Sequence, residues 1–560
     1  MSTTFQQCQA LLFQLQCIAE LPRLQRCERF AHVDDATLEL ILEQAARFAD
    51  STLGPLAASG DREGCRLEDG EVRLPSGTPA AYRQWCELGF PLLGISLEHE
   101  GMGFPRVALS AVQELLDGAN LAFGMLGINL RCAALALAGN ASDALRAQWL
   151  PGLCSGAIAS TIAISEPQAG SDVGRILTRA EPDGEHWLLH GTKLWISYAD
   201  HDATEQILHL ILARVPGGEV GTRGLGLFLV PKRLDDGSHN GLRVARLEHK
   251  MGLHASPTCV LELTQAQGWL IGEPGKGLQA LFVMMNAMRQ AVTVQGAAVA
   301  NAAALQALDY ARQRPQGGHP LESAVPLTAH ADVQRMLLEM TAAGELARAL
   351  ALRTASFLDL AEAENEPHWQ QMAELMLPVA KTVCAELGFA TAGQGIQVLG
   401  GYGYTSDYPM ERLARDIRVA AIYEGTSGIQ ALDYLKRKLL ADQGRTLAAL
   451  DAHIRADLAQ PPTLFSTLAA DALTLLQTTL GTLAATPAPE RGAYALLQLS
   501  ALALHGWNAH CLLRAATGVD GHQQRLRAAL TLFAQGYAPR CQSWAQRALA
   551  PDPECSFEQD

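Results

Sequence analysis

A change of texture in mid-chain constrains the fold more than any other feature. From about residue 159 to 275 the sequence breaks into short runs, ASTIAIS, EHWLLHG, TKLWIS, LHLILARV, LGLFLVPK and CVLELTQ, parted by Gly, Pro and Asp. Short apolar or alternating runs between breakers are strand signals. On either side the breakers thin out. LQALFVMMNAMRQAVTVQGAAVANAAALQALDYARQR is strongly apolar with almost no breaker, and DDATLELILEQAARFADSTLGPLAA sets apolar residues three and four apart behind an Asp that can cap a helix. The expected fold class is mainly α with an inserted β domain. Residues 1–158 read as an N-terminal helical domain, 159–276 as the β domain, 277–440 as a helical bundle and 441–560 as a further helical domain.

Within this frame SLEHEGMGFP interrupts two helices near residue 100, and ATPAPERG interrupts two more at 485–492. His190-Gly191 is expected to form a tight turn between two strands. The net charge of −15 leaves no basic excess to neutralise phosphates, which argues against a general nucleic-acid binder. A small anionic ligand remains compatible, held by local Arg groups or helix N-termini. The 12 cysteines are scattered with no CxxC pair, a poor disulfide framework and a poor zinc site. No basic segment precedes an apolar run at the start, and no uninterrupted apolar run approaches the ~20 residues that cross a bilayer. The expected location is cytoplasmic, without integral membrane association.

Five windows carry chemistry. In ISEPQAGSDVG (164–174), Gly170 permits close backbone approach, and Ser165 and Ser171 set hydroxyls beside exposed N–H groups; from the loop alone a plain polar turn is the favoured reading. In LWIS (194–197), Trp195 can stack on a flat ring and Ser197 can hydrogen-bond it, although a strand Trp is commonly core. GIQVLGGYGYTSDYPMERLARD clusters Gly400, Gly401 and Gly403 after a helix, and its ERLARDIR end can be a plain surface helix. Asp200-His201-Asp202 resembles a metal cluster, but consecutive side chains rarely converge on one ion. In AIYEGTSGIQ (421–430), Glu424 precedes a helix that Thr426 or Ser427 can cap. It is either a helix-start charge or a desolvated base beside N–H groups able to polarise a carbonyl.

Together and in order, these windows resemble the acyl-CoA dehydrogenase family. ISEPQAGSDVGRILTRAEPDGEHWLLHGTKLWIS is similar to its first signature and GIQVLGGYGYTSDYPMERLARDIRVAAIYEGTSGIQ to its second, within a resemblance covering about residues 30–440. GDREG, WISYADHDAT, LEHKMGLHASPTCVL, FVMMNAMR and the tail resemble the subgroup with an extra C-terminal helical domain. The resemblance implies a middle β-barrel-like domain, a C-terminal four-helix bundle and FAD at their junction. Ile164, Ser165 and Ser171 then face the flavin and its pyrophosphate, with Ser171 also toward substrate, while Trp195 and Ser197 flank the isoalloxazine. Arg314, Gln316, Gln397 and Gly401 imply contacts with a neighbouring subunit's FAD in a homodimer. Arg289 and Gly425 match positions near the substrate, and Thr426 a cofactor contact.

Glu424 matches the family's common base. Relatives with the base on an earlier helix place it where this chain has Met288, which cannot accept a proton. The implied reaction is α,β-dehydrogenation of an acyl-CoA to trans-2-enoyl-CoA. Glu424 takes the α-proton, flavin N5 takes the β-hydride, and an electron-transfer flavoprotein is the implied acceptor. The implied acyl group is medium- or long-chain, or methylthio-substituted. Two departures stand out: Arg314-Pro315-Gln316 lacks the aromatic expected after the Arg, and Ile162 replaces a flavin-side aromatic. An acyl-CoA oxidase, or a flavin-binding relative of DNA-damage-response members without dehydrogenase activity, are the alternatives. The tail is expected to cover the bundle or a subunit interface.

Overall fold

The computed structural model describes residues 3–550. Eight helices come first: α1 (Thr3–Cys17), α2 (Leu21–Leu24), α3 (Asp35–Phe48), α4 (Gly54–Glu63), α5 (Thr78–Glu87), α6 (Arg106–Ala119), α7 (Leu121–Asn140) and α8 (Asp143–Ser155). Local chemistry sets their starts. Asp34 accepts from the Thr37 N–H at 2.8 Å to cap α3, and Asn120 accepts from the Phe123 N–H at 3.1 Å to cap α7. A hairpin, β1 (Arg66–Glu68) and β2 (Glu71–Arg73), projects between α4 and α5.

The β domain comprises β3 (Ile158–Ala163), β4 (Arg179–Asp183), β5 (His186–Ser197), β6 (Gln206–Arg214), β7 (Leu225–Pro231), β8 (Leu242–Leu247) and β9 (Thr258–Ile271). Strand β6 pairs with β4 and β7, β4 with β5, β5 with β9, and β9 with β7, so these five close on themselves; β3 lies outside β6 and β8 outside β9. Closure satisfies the exposed edges of an open sheet. Leu189, Ile211, Phe228 and Leu261 are among the buried side chains of this domain.

Two strand expectations change. His190-Gly191 makes no turn: β5 runs unbroken through it. Gly191 is needed because a Cβ there would fall 2.4 Å from Thr178 Oγ1 and 2.8 Å from Thr178 Cα, so the glycine serves close approach. The hairpin turn lies before β5, where Gly184 takes φ 62°. Strand β8 had no counterpart among the expected runs because Arg243 and Arg246 interrupt its apolar pattern.

Three long helices follow, α9 (Gly277–Gln313), α10 (Ala331–Glu364) and α11 (Pro367–Leu399), then the short α12 (Met410–Ile417) and α13 (Ser427–Leu432). Helix α12 is no plain surface helix, since Met410, Leu413 and Ile417 are buried. The chain ends with α14 (Arg445–Leu458), α15 (Phe465–Ala484), α16 (Ala493–Ala515), α17 (Gly521–Gln535) and α18 (Tyr537–Ala548). These cover the bundle: His522 Nε2 lies 2.8 Å from Glu345 of α10, and Arg353 of α10 lies 4.0 Å over the Trp507 ring of α16. By length and composition α7, α9 and Pro367–Tyr404 are apolar enough to cross a membrane, but 78–83% of their apolar windows is buried inside the protein.

Candidate active site

Glu424 sits in the turn between α12 and α13 with φ 54°, and Gly425 follows at φ 89°. A left-handed non-glycine residue costs on the order of 1 kcal/mol, so its surroundings must hold it. They do so through the carbonyls. Gln430 Nε2 donates to the Glu424 carbonyl at 2.7 Å, and Lys381 Nζ, fully buried on α11, donates to the Gly425 carbonyl at 2.6 Å. Thr426 caps α13 through the Ile429 N–H. With both carbonyls turned inward, the Glu424 and Gly425 N–H groups have no partner among the described residues.

Removal from water raises the Glu424 pKa above its ordinary value, and the Lys381 and Arg289 cations oppose that rise. Burial in turn pulls Lys381 down to about 8 against the attraction of Glu424. Arg289 is itself buried and paired with Asp433 at 2.7 Å. Beside the turn, Tyr423 donates to Gln295 of α9. Behind it, Ser427 Oγ donates to Glu386 of α11 at 2.8 Å, and Gln498 of α16 donates to the same carboxylate at 2.7 Å. The C-terminal addition therefore braces the helix that begins beside Glu424.

The second group of residues lies on the β domain. Trp195 occupies an irregularity in β5 at φ 63°, with its side chain 59% exposed. Lys193, fully buried two residues earlier, donates to the Ile164 carbonyl at 3.0 Å and to Glu166 at 2.8 Å. Glu166 also accepts from the Leu177 and Thr178 N–H groups at 2.7 and 3.1 Å, and the Leu194 N–H donates to the Ser165 carbonyl at 2.9 Å. This network pins the 164–174 loop to the Trp195 bulge. Among the described residues no partner meets the Ser165, Ser171 or Ser197 hydroxyls, and nothing lies within 4 Å of a Cβ placed on Gly170. A free indole face, unpartnered hydroxyls and an uncrowded glycine fit a flat heterocycle with a polar tail.

Helix α7 joins the two groups. Met125 meets the Tyr423 hydroxyl at 3.9 Å, Asn129 donates to the Ser197 carbonyl at 3.4 Å, and Cys132 lies within electrostatic reach of Glu424. Residues i, i+4 and i+7 share one helix face, so the Glu424 turn and the end of β5 meet along it. The remaining candidates lie elsewhere. Arg314, Gln316, Gln397 and Gly401 are exposed, and Arg314 stacks over Tyr402 at 5.8 Å. Along α9, Arg314 stands about 37 Å from Arg289 at ~1.5 Å per residue.

Asp200 and Asp202 bind protein instead of forming one ion cage. Asp200 pairs with Lys232 and accepts from the Val72 N–H, while Asp202 accepts from the Leu74 N–H, fastening the β1–β2 hairpin. The sequence reading missed Lys381, Gln430, Glu166 and Lys193. Glu166 and Lys193 lie inside the quoted windows, each a charged residue amid strand-like neighbours, and that was the available signal.

This chain belongs to the acyl-CoA dehydrogenase family, FAD-dependent flavoprotein oxidoreductases. The family's N-terminal, middle and C-terminal domain models match residues 35–157, 161–266 and 275–439. Among the curated relatives, 3-methylmercaptopropionyl-CoA dehydrogenase of Ruegeria pomeroyi is 40% identical over 449 residues, 78% of this chain and 76% of that protein. The broad-specificity linear acyl-CoA dehydrogenase FadE5 of Mycobacterium tuberculosis is 34% identical over 76% of this chain and 74% of its own. In fold, the chain is similar to acyl-CoA dehydrogenase complexed with FAD from Bacillus anthracis, at TM-score 0.77 and 21% identity, covering 95% of this chain and 91% of that one. It is thus an acyl-CoA dehydrogenase with FAD as cofactor, and its helices beyond residue 439 lie outside the three family domains.

Proposed function

We propose that this enzyme desaturates the α–β bond of an acyl-CoA thioester to give a trans-2-enoyl-CoA, with Glu424 as the base. One observation carries the reading: Glu424 is a half-buried carboxylate on a left-handed turn whose two carbonyls are tied back and whose N–H groups have no partner among the described residues. The raised pKa makes it a stronger proton acceptor than a solvated glutamate. Its free N–H is suited to donate a hydrogen bond to the thioester carbonyl oxygen, which acidifies the α-carbon beside the carboxylate. Tyr423, half-buried and held by Gln295, helps keep water from that carboxylate. Bound FAD supplies the acceptor for the β-hydride.

On this reading Ile164, Ser165, Ser171, Trp195 and Ser197 hold the flavin side, with Ser171 also near substrate. Arg289, locked by Asp433, keeps a cation near the base, Gly425 leaves room for the thioester, and Thr426 fixes the turn. Arg314, Gln316, Gln397 and Gly401 serve the FAD of a second copy, because the length of α9 separates them from Glu424 of their own chain. An electron-transfer flavoprotein reoxidises the enzyme, and the reaction belongs with fatty-acid β-oxidation in the cytoplasm. The R. pomeroyi relative is named for a methylthio-substituted acyl-CoA and the M. tuberculosis one for linear acyl-CoAs, which brings both classes into the substrate panel.

Stopped-flow bleaching of the flavin tests the base. Glu424→Gln is expected to retain FAD and bind acyl-CoA while flavin reduction slows roughly 10²–10⁴-fold, the range for losing a general base. Bleaching at the wild-type rate would remove Glu424 from the chemistry.

A further inference from the structure

A cavity of about 430 Å³ lies between α6, α7 and α9. Ile128, Arg131 and Leu135 line it from α7, and Ala287 and Ala291 from α9. Cys132, the α7 residue within electrostatic reach of Glu424, belongs to the same wall. An acyl chain leaving the proposed thioester site has this largely apolar space beside it.

Three arginines line the cavity, and two are matched. Arg29 pairs with Glu362 at 2.9 Å, and Arg106 with Asp359 at 3.3 Å. Arg131 has no carboxylate at ion-pair distance among the described residues. Among the described residues its single hydrogen bond is a long one, 3.5 Å to Gln113 Oε1. The Gln113 amide nitrogen is committed elsewhere, to Asp117 at 2.8 Å and to the Ala291 carbonyl at 3.0 Å. Asp117 is a weak counter-charge: burial pushes its carboxyl up to about 7, and one of its oxygens is unpartnered. Arg131 is half-buried at the cavity wall, so its guanidinium is only partly solvated, and the apolar wall beside it offers no counter-charge.

We infer that Arg131 selects acyl-CoA substrates whose acyl chain carries a carboxylate, taken up by the guanidinium inside the α6–α7–α9 cavity. The planar fork of arginine matches a carboxylate with two parallel hydrogen bonds, which an unsubstituted or thioether chain cannot supply. The inference rests on the dehydrogenation reading for the position of the thioester.

The test uses matched pairs, an unsubstituted acyl-CoA and its ω-carboxy counterpart across a chain-length series. Affinities are measured calorimetrically on the FAD-loaded Glu424→Gln protein, where no turnover interferes. At the best-fitting length the ω-carboxy member is expected to bind at least tenfold tighter. Arg131→Leu is expected to erase that preference, and Arg131→Lys to retain part of it. Equal or weaker binding of every ω-carboxy member overturns the inference without any variant, and so does a preference that survives in Arg131→Leu. Flavin bleaching by the wild-type enzyme separates the two readings. Bleaching without a carboxylate preference removes the Arg131 role alone. A preference in binding with no bleaching by any acyl-CoA removes the dehydrogenation reading alone.

Discussion

Replacing Lys193 by Met probes the attachment of the flavin-side loop to the barrel. Lys193 is fully buried and contributes two contacts, to the Ile164 carbonyl and to Glu166. Burial alone would raise Glu166, but Lys193 and the hydrogen bonds around it bring the carboxyl below its usual range. Methionine fills a similar volume, so the change removes the charge with little cavity. Glu166 keeps Leu177, Thr178 and Gln168 as donors but loses its cation. Breaking one side of a buried pair costs about 3–5 kcal/mol, and because Glu166 retains three donors we expect the lower end, about 3 kcal/mol. Urea denaturation of the wild type, Lys193→Met, Glu166→Gln and the double variant closes a cycle. The double variant should be less destabilised than the sum of the singles by roughly 1–3 kcal/mol. Gel filtration of Lys193→Met should also show loss of FAD, since Ile164 and Ser165 flank the broken contact. A Lys193→Met protein within about 1 kcal/mol of wild type, with full flavin content, would refute the claim that this pair holds the loop.

Two other predictions concern the base and the second copy. Glu424 acts ionised, so bleaching should speed up with rising pH through its raised pKa; Lys381→Met removes a cation that lowers that pKa, so the rising limb should move to higher pH. Its effect should shrink above about pH 8, where wild-type Lys381 itself loses its proton, and an unmoved limb would show that Lys381 does not tune the base. Arg314→Ala should lower the FAD retained on gel filtration and weaken self-association; unchanged flavin content would refute a role across subunits.

Legibility followed the range of the interactions. Asp34, Asn120 and Thr426 cap helices through bonds to residues three positions on, and such contacts are written into neighbouring letters. The barrel's short runs were readable for the same reason. Gly191 misled because a glycine between strand-like runs signals either a turn or crowding, and the crowding comes from Thr178, just before β4. Around Glu424 the motif marked the carboxylate and contains Gln430, which holds its carbonyl, but the other groups that hold the turn arrive from afar. Lys381 is 44 positions from Gly425, and Gln295 is 128 positions from Tyr423. Arg131 bore the mark of a lone charge in an apolar helix, but the packing alone shows that its neighbours leave it unmatched.

Helix α7 presents its chemistry and its cavity wall on different sides. Met125 and Asn129 face the turn and the end of β5, Ile128, Arg131 and Leu135 run along the cavity, and Cys132 stands where the two sides meet. Neighbouring positions on a helix are turned by about 100° from one another. On the proposed reading, a lineage can exchange the residue at 128, 131 or 135 and explore new acyl groups while the alignment of base and strand is inherited unchanged. Substrate range and reaction type become separately heritable traits of a single twenty-residue segment.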